Sequence, residues 1–254
     1  MLIDTHAHIY LEDFSNDIGE IIQNACNNNV KKIILPNIDS DSVKHLLNLS
    51  YTYPDLCFPL MGLHPTSVGE DYKEELETVE YWFDKRKFYG VGEIGIDLYW
   101  DKTFLKQQKE VFRFQLKIAK SKKIPVVIHL RNSFEEIFKI VEEEQDGSLK
   151  GIFHCFSGNV EEAKKVSDLG FLLGIGGVIT FKQNNLINVV EKTDIKNIVL
   201  ETDSPYLAPV PKRGKRNESS YLIYVAQKVA EIYNIPIDKV AEITTANARN
   251  LFGI

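Results

Sequence analysis

Met1-Leu2-Ile3-Asp4-Thr5-His6-Ala7-His8 opens the chain, and the turn that closes this stretch separates two candidate folds. Met1 to Thr5 reads as a short buried strand. Side chains two apart on a strand share a face, so His6 and His8 project together from its C-terminal end. An open doubly wound sheet usually carries a Gly-rich fingerprint in the turn after its first strand. Here that turn carries His-Ala-His. Two neutral imidazoles aimed at one point make a half-site for a divalent transition metal.

The rest of the chain repeats the opening rhythm. Short apolar runs at Leu2–Thr5, Lys32–Leu35, Cys57–Gly62, Tyr89–Glu93, Pro125–His129, Gly151–His154, Phe171–Gly174 and Ile198–Glu201 alternate with amphipathic stretches. Continuous apolar runs bounded by turns suit strands buried on both faces, as in parallel sheets. Between the runs, apolar residues recur at helical spacing. The clearest case is Phe104 to Lys122, and Ser133–Glu144 and Val160–Leu169 follow it. Eight such units in 254 residues match an α/β (β/α)8 TIM barrel spanning residues 1–254 as one domain, with Ser220 to Phe252 forming two closing helices.

Composition narrows the function classes. Hydrophobic residues make up 44%, enough for a sizeable core, and the formal net charge is −6. That charge argues against a non-specific nucleic-acid scavenger, so a nucleic-acid ligand needs a local basic patch or bound cations. Cys26, Cys57 and Cys155 are odd in number and far apart, which fits a reducing cytoplasm and no disulfide framework. There is no signal-peptide pattern and no apolar run of membrane-spanning length, so a cytoplasmic protein without membrane contact is expected.

Function in a barrel gathers at the C-terminal ends of strands. Five of the six histidines fall at such ends, and His45 alone lies in a helical stretch. The strand ends supply His6, His8, Glu93, His129, His154 and Asp203. Four imidazoles and two carboxylates exceed the three or four protein ligands of one catalytic zinc. They suit two divalent ions about 3.5–4 Å apart that share a carboxylate and clamp a phosphoryl group. Glu93 is the natural bridge, because its strand lies between the two histidine pairs in chain order. Glu201 reads as a structural partner, and Cys155 as a small buried hydrophobe. His64, before Pro65, is placed at a loop that either caps itself or touches substrate.

Pro209 to Glu218 follows the last strand and should lie over the same mouth. It carries four cations, Lys212, Arg213, Lys215 and Arg216. Arg grips phosphate through a planar fork, and the position after Asp203 favours phosphate binding over a merely solvated run. Lys120, Lys122 and Lys123 sit at a helix end and read as ordinary solvation.

With these residues in view, the chain resembles the TatD family of metal-dependent deoxyribonucleases over nearly its whole length. The elements that carry the likeness are Gly62-Leu63-His64-Pro65, Gly92-Glu93-Ile94-Gly95-Ile96-Asp97, His154-Cys155-Phe156-Ser157-Gly158, Glu201-Thr202-Asp203-Ser204-Pro205-Tyr206-Leu207 and Arg213-Gly214-Lys215-Arg216-Asn217-Glu218. The resemblance implies a TIM-type barrel and two divalent metal ions, Mg, Mn or Zn. It implies phosphodiester hydrolysis on DNA, single-stranded or at 3′ ends, of the 3′-5′ exonuclease type. By matching position, His6, His8, Glu93 and Asp203 hold one metal, and Glu93, His129 and His154 the other. The expected chemistry is hydrolysis by a metal-bound hydroxide, which the ions would supply, with Asp203 as general base. His64, Arg131, Arg213 and Asn217 are the expected substrate contacts, and no obligate protein partner is inferred. Four imidazoles favour a transition metal over a hard, oxygen-seeking ion. Ser219, Leu98 and Lys212 depart from the family pattern near the substrate. Hydrolysis of an amide, a lactone or an aminoacyl ester such as D-aminoacyl-tRNA is therefore the rival chemistry. A barrel that binds without turnover is the non-enzyme rival, disfavoured by the intact ligand set.

Overall fold

A computed structural model describes residues 1–254. Its strands are β1 (Leu2–Asp4), β2 (Val30–Leu35), β3 (Cys57–Pro59), β4 (Val91–Asp97), β5 (Val126–Arg131), β6 (Gly151–Phe153), β7 (Leu172–Ile175) and β8 (Ile198–Leu200). A helix follows each of the first seven: α1 (Ile18–Asn27), α2 (Val43–Thr52), α3 (Tyr72–Lys85), α4 (Leu105–Lys122), α5 (Phe134–Glu144), α6 (Val160–Asp168) and α7 (Leu186–Lys192). After β8 come α8 (Leu222–Tyr233) and α9 (Ile237–Phe252). This is the expected (β/α)8 order.

All strand pairings are parallel, in the order β1-β2-β3 and β4 through β8. Two short seams join these arcs into a ring. At one, Met61 bridges Val91, and Gly92 N donates to Met61 O at 3.0 Å. At the other, Ala7 bridges Ser204, and Asp203 N donates to His6 O at 2.9 Å. The second seam brings the two ends of the ligand set together, because it runs directly through His6 and Asp203.

β4 differs from its sequence reading. The run was expected to stop at Glu93, yet it continues to Asp97 with all seven residues buried. Gly95 is the reason. A Cβ there would lie 2.0 Å from His129 O, and its φ is +146°, a conformation open to glycine. The glycine that interrupts the apolar run lets β4 and β5 close up, pairing Asp97 with Arg131. β3, expected to reach Gly62, ends at Pro59, and the chain beyond it turns so that His64 N donates to Ile38 O at 2.7 Å.

The helices cover the ring with one large apolar core. A second, smaller cluster takes one residue from each of six strands: Ile3, Ile34, Phe58, Val127, Ile152 and Val199. Ala248 and Phe252 of α9 pack against it. Thr245 and Asn247 of the same helix donate to Met1 O, Ile195 O and Ile198 O, so the last helix covers the starts of β1 and β8 and leaves the opposite mouth free. Local signals agree with these helices. Asn159 and Glu162 form a reciprocal cap on α6, and Gly253 ends α9 at φ +66°. No helix is long and apolar enough to cross a membrane.

Candidate metal centre

The six expected ligands meet at the mouth. His6 Nε2 and His8 Nε2 lie 3.0 Å apart. Glu93 Oε2 sits 3.0 Å from the first and 3.4 Å from the second. Asp203 Oδ1 is 3.8 and 3.9 Å from the same two nitrogens. The other Glu93 oxygen, Oε1, faces His129 Nδ1 at 2.7 Å and His154 Nε2 at 3.4 Å. One carboxylate thus faces both pairs, but the donor atoms that lie within 4.8 Å of one another group differently: His6, His8 and Asp203; His6, Glu93 and His154; and His64, Glu93 and His129. His154 stacks on His6 at 3.5 Å between ring centroids, while the His129 and His154 centroids are 6.3 Å apart.

Hydrogen bonds assign the tautomers. Tyr10 Oη donates to Pro36 O at 2.6 Å, so it accepts from His8 Nδ1 at 3.0 Å. The Nε2 lone pair of His8 is left for the centre. His64 is the opposite case. Thr66 N donates to its Nδ1 at 3.1 Å, so the proton sits on Nε2 and points at Glu93 Oε1, 3.4 Å away. His64 is a hydrogen-bond donor into the site, although its ring lies close enough to be grouped with Glu93 and His129. Burial lowers its pKa, so it stays neutral.

The donor set fits divalent cations. Ligand atoms about 2.0–2.2 Å from one zinc-sized ion lie roughly 3–4 Å apart, and the separations above fall in or near that band. Charge gives the second test. Burial pushes the Glu93 carboxyl up, but His6, His64, His154 and His129 outweigh it and hold it well below the usual carboxylate range. Burial would lower His129 and His154, yet the carboxylates beside them raise both, His154 to about 10. The centre therefore carries surplus carboxylate charge, which protons or divalent cations would neutralise. Asp203 is pushed up to about 6 by burial, against the pull of His154 and His8.

A second layer of groups orients the first. His129 Nε2 lies 2.9 Å from Asp97 Oδ2. Glu201, fully buried, places Oε1 3.1 Å from His154 Nδ1 and accepts from Cys155 N at 2.5 Å. Gly174 leaves it room, since a Cβ there would lie 2.3 Å from Glu201 Oε2. Asp4 accepts from Thr202 Oγ1 at 2.6 Å and Thr202 N at 2.9 Å, which fixes the Asp203 turn on the His6 strand end. Asp203 holds a left-handed φ of 56° and Cys155 one of 46°, conformations that a surrounding structure must over-determine.

Sequence reasoning gave Tyr10 and Asp97 no role. Asp97 follows Glu93 and Gly95 at period-two spacing along β4, a local hint that says nothing of its partner. Tyr10 lies in the turn after His8, where strand spacing does not apply. The expected substrate contacts separate into two groups. Arg131 and Arg213 are exposed at the mouth. Arg131 stacks 3.6 Å from the Tyr99 ring centroid, and Arg213 lies 4.3 Å over Phe181. Asn217 must be corrected. It is fully buried, and its Nδ2 donates to Thr202 O and Tyr206 O, both at 2.7 Å. It braces the loop after β8 and presents nothing to a ligand. Arg216 is likewise held to Asp17, 3.1 Å from Oδ1.

A (β/α)8 barrel with histidines and carboxylates converging at its C-terminal mouth defines the class of metal-dependent hydrolases. Within that class the chain belongs to the TatD family: the model described as TatD related DNase matches residues 3–253. It is 36% identical over 255 residues to the uncharacterized metal-dependent hydrolase YabD of Bacillus subtilis, covering 100% of both chains. It is 30% identical to YjjV of Escherichia coli, an uncharacterized metal-dependent hydrolase, over 99% of this chain and 98% of that one. The crystal structure of YjjV superposes with a TM-score of 0.94 at 28% identity, covering 100% of this chain and 98% of that one. A TatD family hydrolase from Entamoeba histolytica shares the fold at a TM-score of 0.83 and 22% identity, over 99% and 97% of the two chains.

Proposed function

We propose that this metal-dependent hydrolase is a two-metal phosphodiesterase that trims single-stranded DNA or 3′ ends in the 3′-5′ direction. The observation that carries the reading is the divided Glu93 carboxylate, with Oε2 toward His6 and His8 and Oε1 toward His129 and His154. His6, His8, Glu93 and Asp203 would hold one ion, and Glu93, His129 and His154 the other. Divalent ions there would activate water and offset charge developing on phosphoryl oxygens.

The chain's own groups do the remaining work. Asp203, with its carboxyl near 6, accepts the proton of the attacking water at neutral pH. Glu93 fixes the spacing of the two ligand groups. His64 presents its Nε2 proton at the mouth, 3.4 Å from Glu93 Oε1, where a non-bridging oxygen of the substrate would compete for it. Arg131 and Arg213 hold neighbouring phosphates. Two exposed arginines at the mouth of a chain with net charge −6 support a phosphate-bearing substrate, as does the family's description.

The test is a side-by-side assay of single-stranded DNA, RNA and D-aminoacyl-tRNA, each with Mg, Mn or Zn supplied. Release of mononucleotides from labelled 3′ ends is expected. Turnover of the aminoacyl ester with no nucleotide release would replace the phosphodiester reading by the ester one.

A further inference from the structure

Beside the metal centre lies a cleft of about 240 Å³ with no part in the chemistry so far described. Pro65, Thr66 and Val68 form one wall, and Asp97, Trp100 and Phe104 form the other. Both walls are attached to the centre. The first continues from His64, whose Nε2 faces Glu93. The second hangs on Asp97, which has two jobs. Its Oδ2 meets His129 Nε2 at 2.9 Å, while its Oδ1 accepts from Tyr99 N at 2.9 Å and Trp100 N at 3.3 Å. One carboxylate therefore sets the distance between a candidate metal ligand and an aromatic turn.

That turn is unusual for a soluble surface. Trp100 is 71% exposed and Tyr99 53%. Large exposed aromatics grouped at a site mark contact with a ligand. Arg131 stacks on Tyr99 at 3.6 Å with its guanidinium exposed, so a cation sits next to the aromatic faces. A flat aromatic wall, a polar rim and an adjacent guanidinium are what a nucleotide with an unpaired base needs.

We propose that this cleft is a nucleobase slot, with Trp100 as its stacking face, which receives an unpaired base next to the scissile phosphate. The slot rests on the phosphodiester reading and gives it a substrate form: a single-stranded end, because a base with its partner attached does not enter between the two walls. Asp97 is a positioning residue here, holding slot and centre in register.

The test uses affinity as well as turnover. Two short oligonucleotides carry a hydrolysis-resistant phosphorothioate at the last linkage and differ only in a base or an abasic sugar at the 3′ end. Anisotropy of the labelled strands gives the two Kd values. The base-bearing strand should bind about 5- to 150-fold more tightly, the range set by base–aromatic stacking. W100A should bring the ratio to about one, and W100F should keep most of it. In W82F, where Trp100 is the remaining indole, the base-bearing strand should quench emission more than the abasic one. Trp100 is exposed, so its truncation should leave the melting temperature unchanged. Equal Kd values for the two strands, or a full ratio in W100A, would overturn the slot. Cleavage of ordinary-linkage versions separates the two readings. An enzyme that cleaves both strands without preferring either in binding keeps the phosphodiester reading and loses the slot. One that cleaves neither, yet prefers the base, keeps the slot and loses that reading.

Discussion

The two sides of Glu93 are built differently. On the Oε2 side, His6 and His8 come from one strand end, two residues apart, with side chains 0% and 4% exposed. Tyr10 fixes the ring of His8 from the same segment. On the Oε1 side, His129 and His154 come from separate strands, and His129 is 16% exposed. The imidazoles of the first side are local and closed, with Asp203, 14% exposed, added from the turn after β8. The second side is assembled by tertiary structure and is open to the mouth at His129, while His154 is 4% exposed. An ion on the closed side should exchange slowly. One on the open side is nearer to His64, Arg131 and incoming substrate, and it should be held less tightly.

The largest effect should come from the residues that serve the closed side or both. Glu93→Gln removes the charge facing both imidazole groups, and Asp203→Asn removes the proton acceptor. Loss of a positioned base costs about 10²–10⁴-fold in kcat, and Glu93→Gln should cost at least as much. Elemental analysis should find between one and two divalent ions per wild-type chain and fewer in Glu93→Gln. His129→Ala and His154→Ala should lose only the labile ion, whereas His6→Ala should lose the tight one. Equal losses in all three would erase the contrast between the sides.

Asp97→Asn probes the open side without touching a ligand. The amide still receives the Tyr99 and Trp100 amides at its oxygen but no longer supplies a carboxylate to His129. Removing such an outer partner typically costs about 10–100-fold in metal affinity or activity. Titration with metal should show the weaker site shifted and the tighter one unmoved. A shift of both would mean that the sides are coupled too strongly to be described separately.

Acid should act on both sides in the same direction. Asp203 must be ionised to accept a proton, and burial places its carboxyl at about 6. Imidazoles must be neutral to bind an ion. The active form is therefore the deprotonated one. At saturating metal the rate should fall as pH drops through about 6, by about tenfold per unit for one proton. At limiting metal, where a proton competes for His154 with its pKa raised to about 10, the fall should begin at higher pH. Cations favour the deprotonated ligands, so added metal should move the inflection lower. A kcat/KM profile whose inflection ignores metal concentration would detach Asp203 from the centre.

This same contrast explains what could be read from the sequence. The closed side is a local pattern, and period-two spacing alone aims His6 and His8 at one point. The strand order and the histidines at strand ends were legible for the same reason, since each is written in a short run. The orienting contacts of the open side were not. Asp97 meets His129 only because Gly95 lets β4 lie against β5, and that approach depends on a backbone register no local rule gives. Asn217 failed in the other direction. Its place in a basic run suggested a ligand, but Thr202 O and Tyr206 O, carbonyls from elsewhere in the loop after β8, take up its donors.

The smallest effect, and the one that bears on substrate rather than metal, concerns the basic run after β8. The structure divides it. Arg216 is tied to Asp17 and lies over Phe14, and Asn217 is buried. Arg213 has an aromatic face beneath it and no acid paired with it, so its guanidinium is presented to solvent at the mouth. Arg213→Ala should weaken binding of single-stranded DNA and reduce the salt dependence by about 0.7 units of log–log slope, the value for one phosphate contact on a single strand. Arg131→Ala should do the same from the β5 side. Metal content should stay unchanged in both. Asn217→Ala should behave oppositely, lowering the melting temperature while leaving the slope alone, because it strips donors from two carbonyls and touches no phosphate. If Arg213→Ala left affinity and slope intact, the run would be a solvated loop, and Arg131 alone would have to account for phosphate recognition. If Asn217→Ala changed the slope at constant stability, its burial in the loop would be the wrong description, and the run would act as a unit on the substrate.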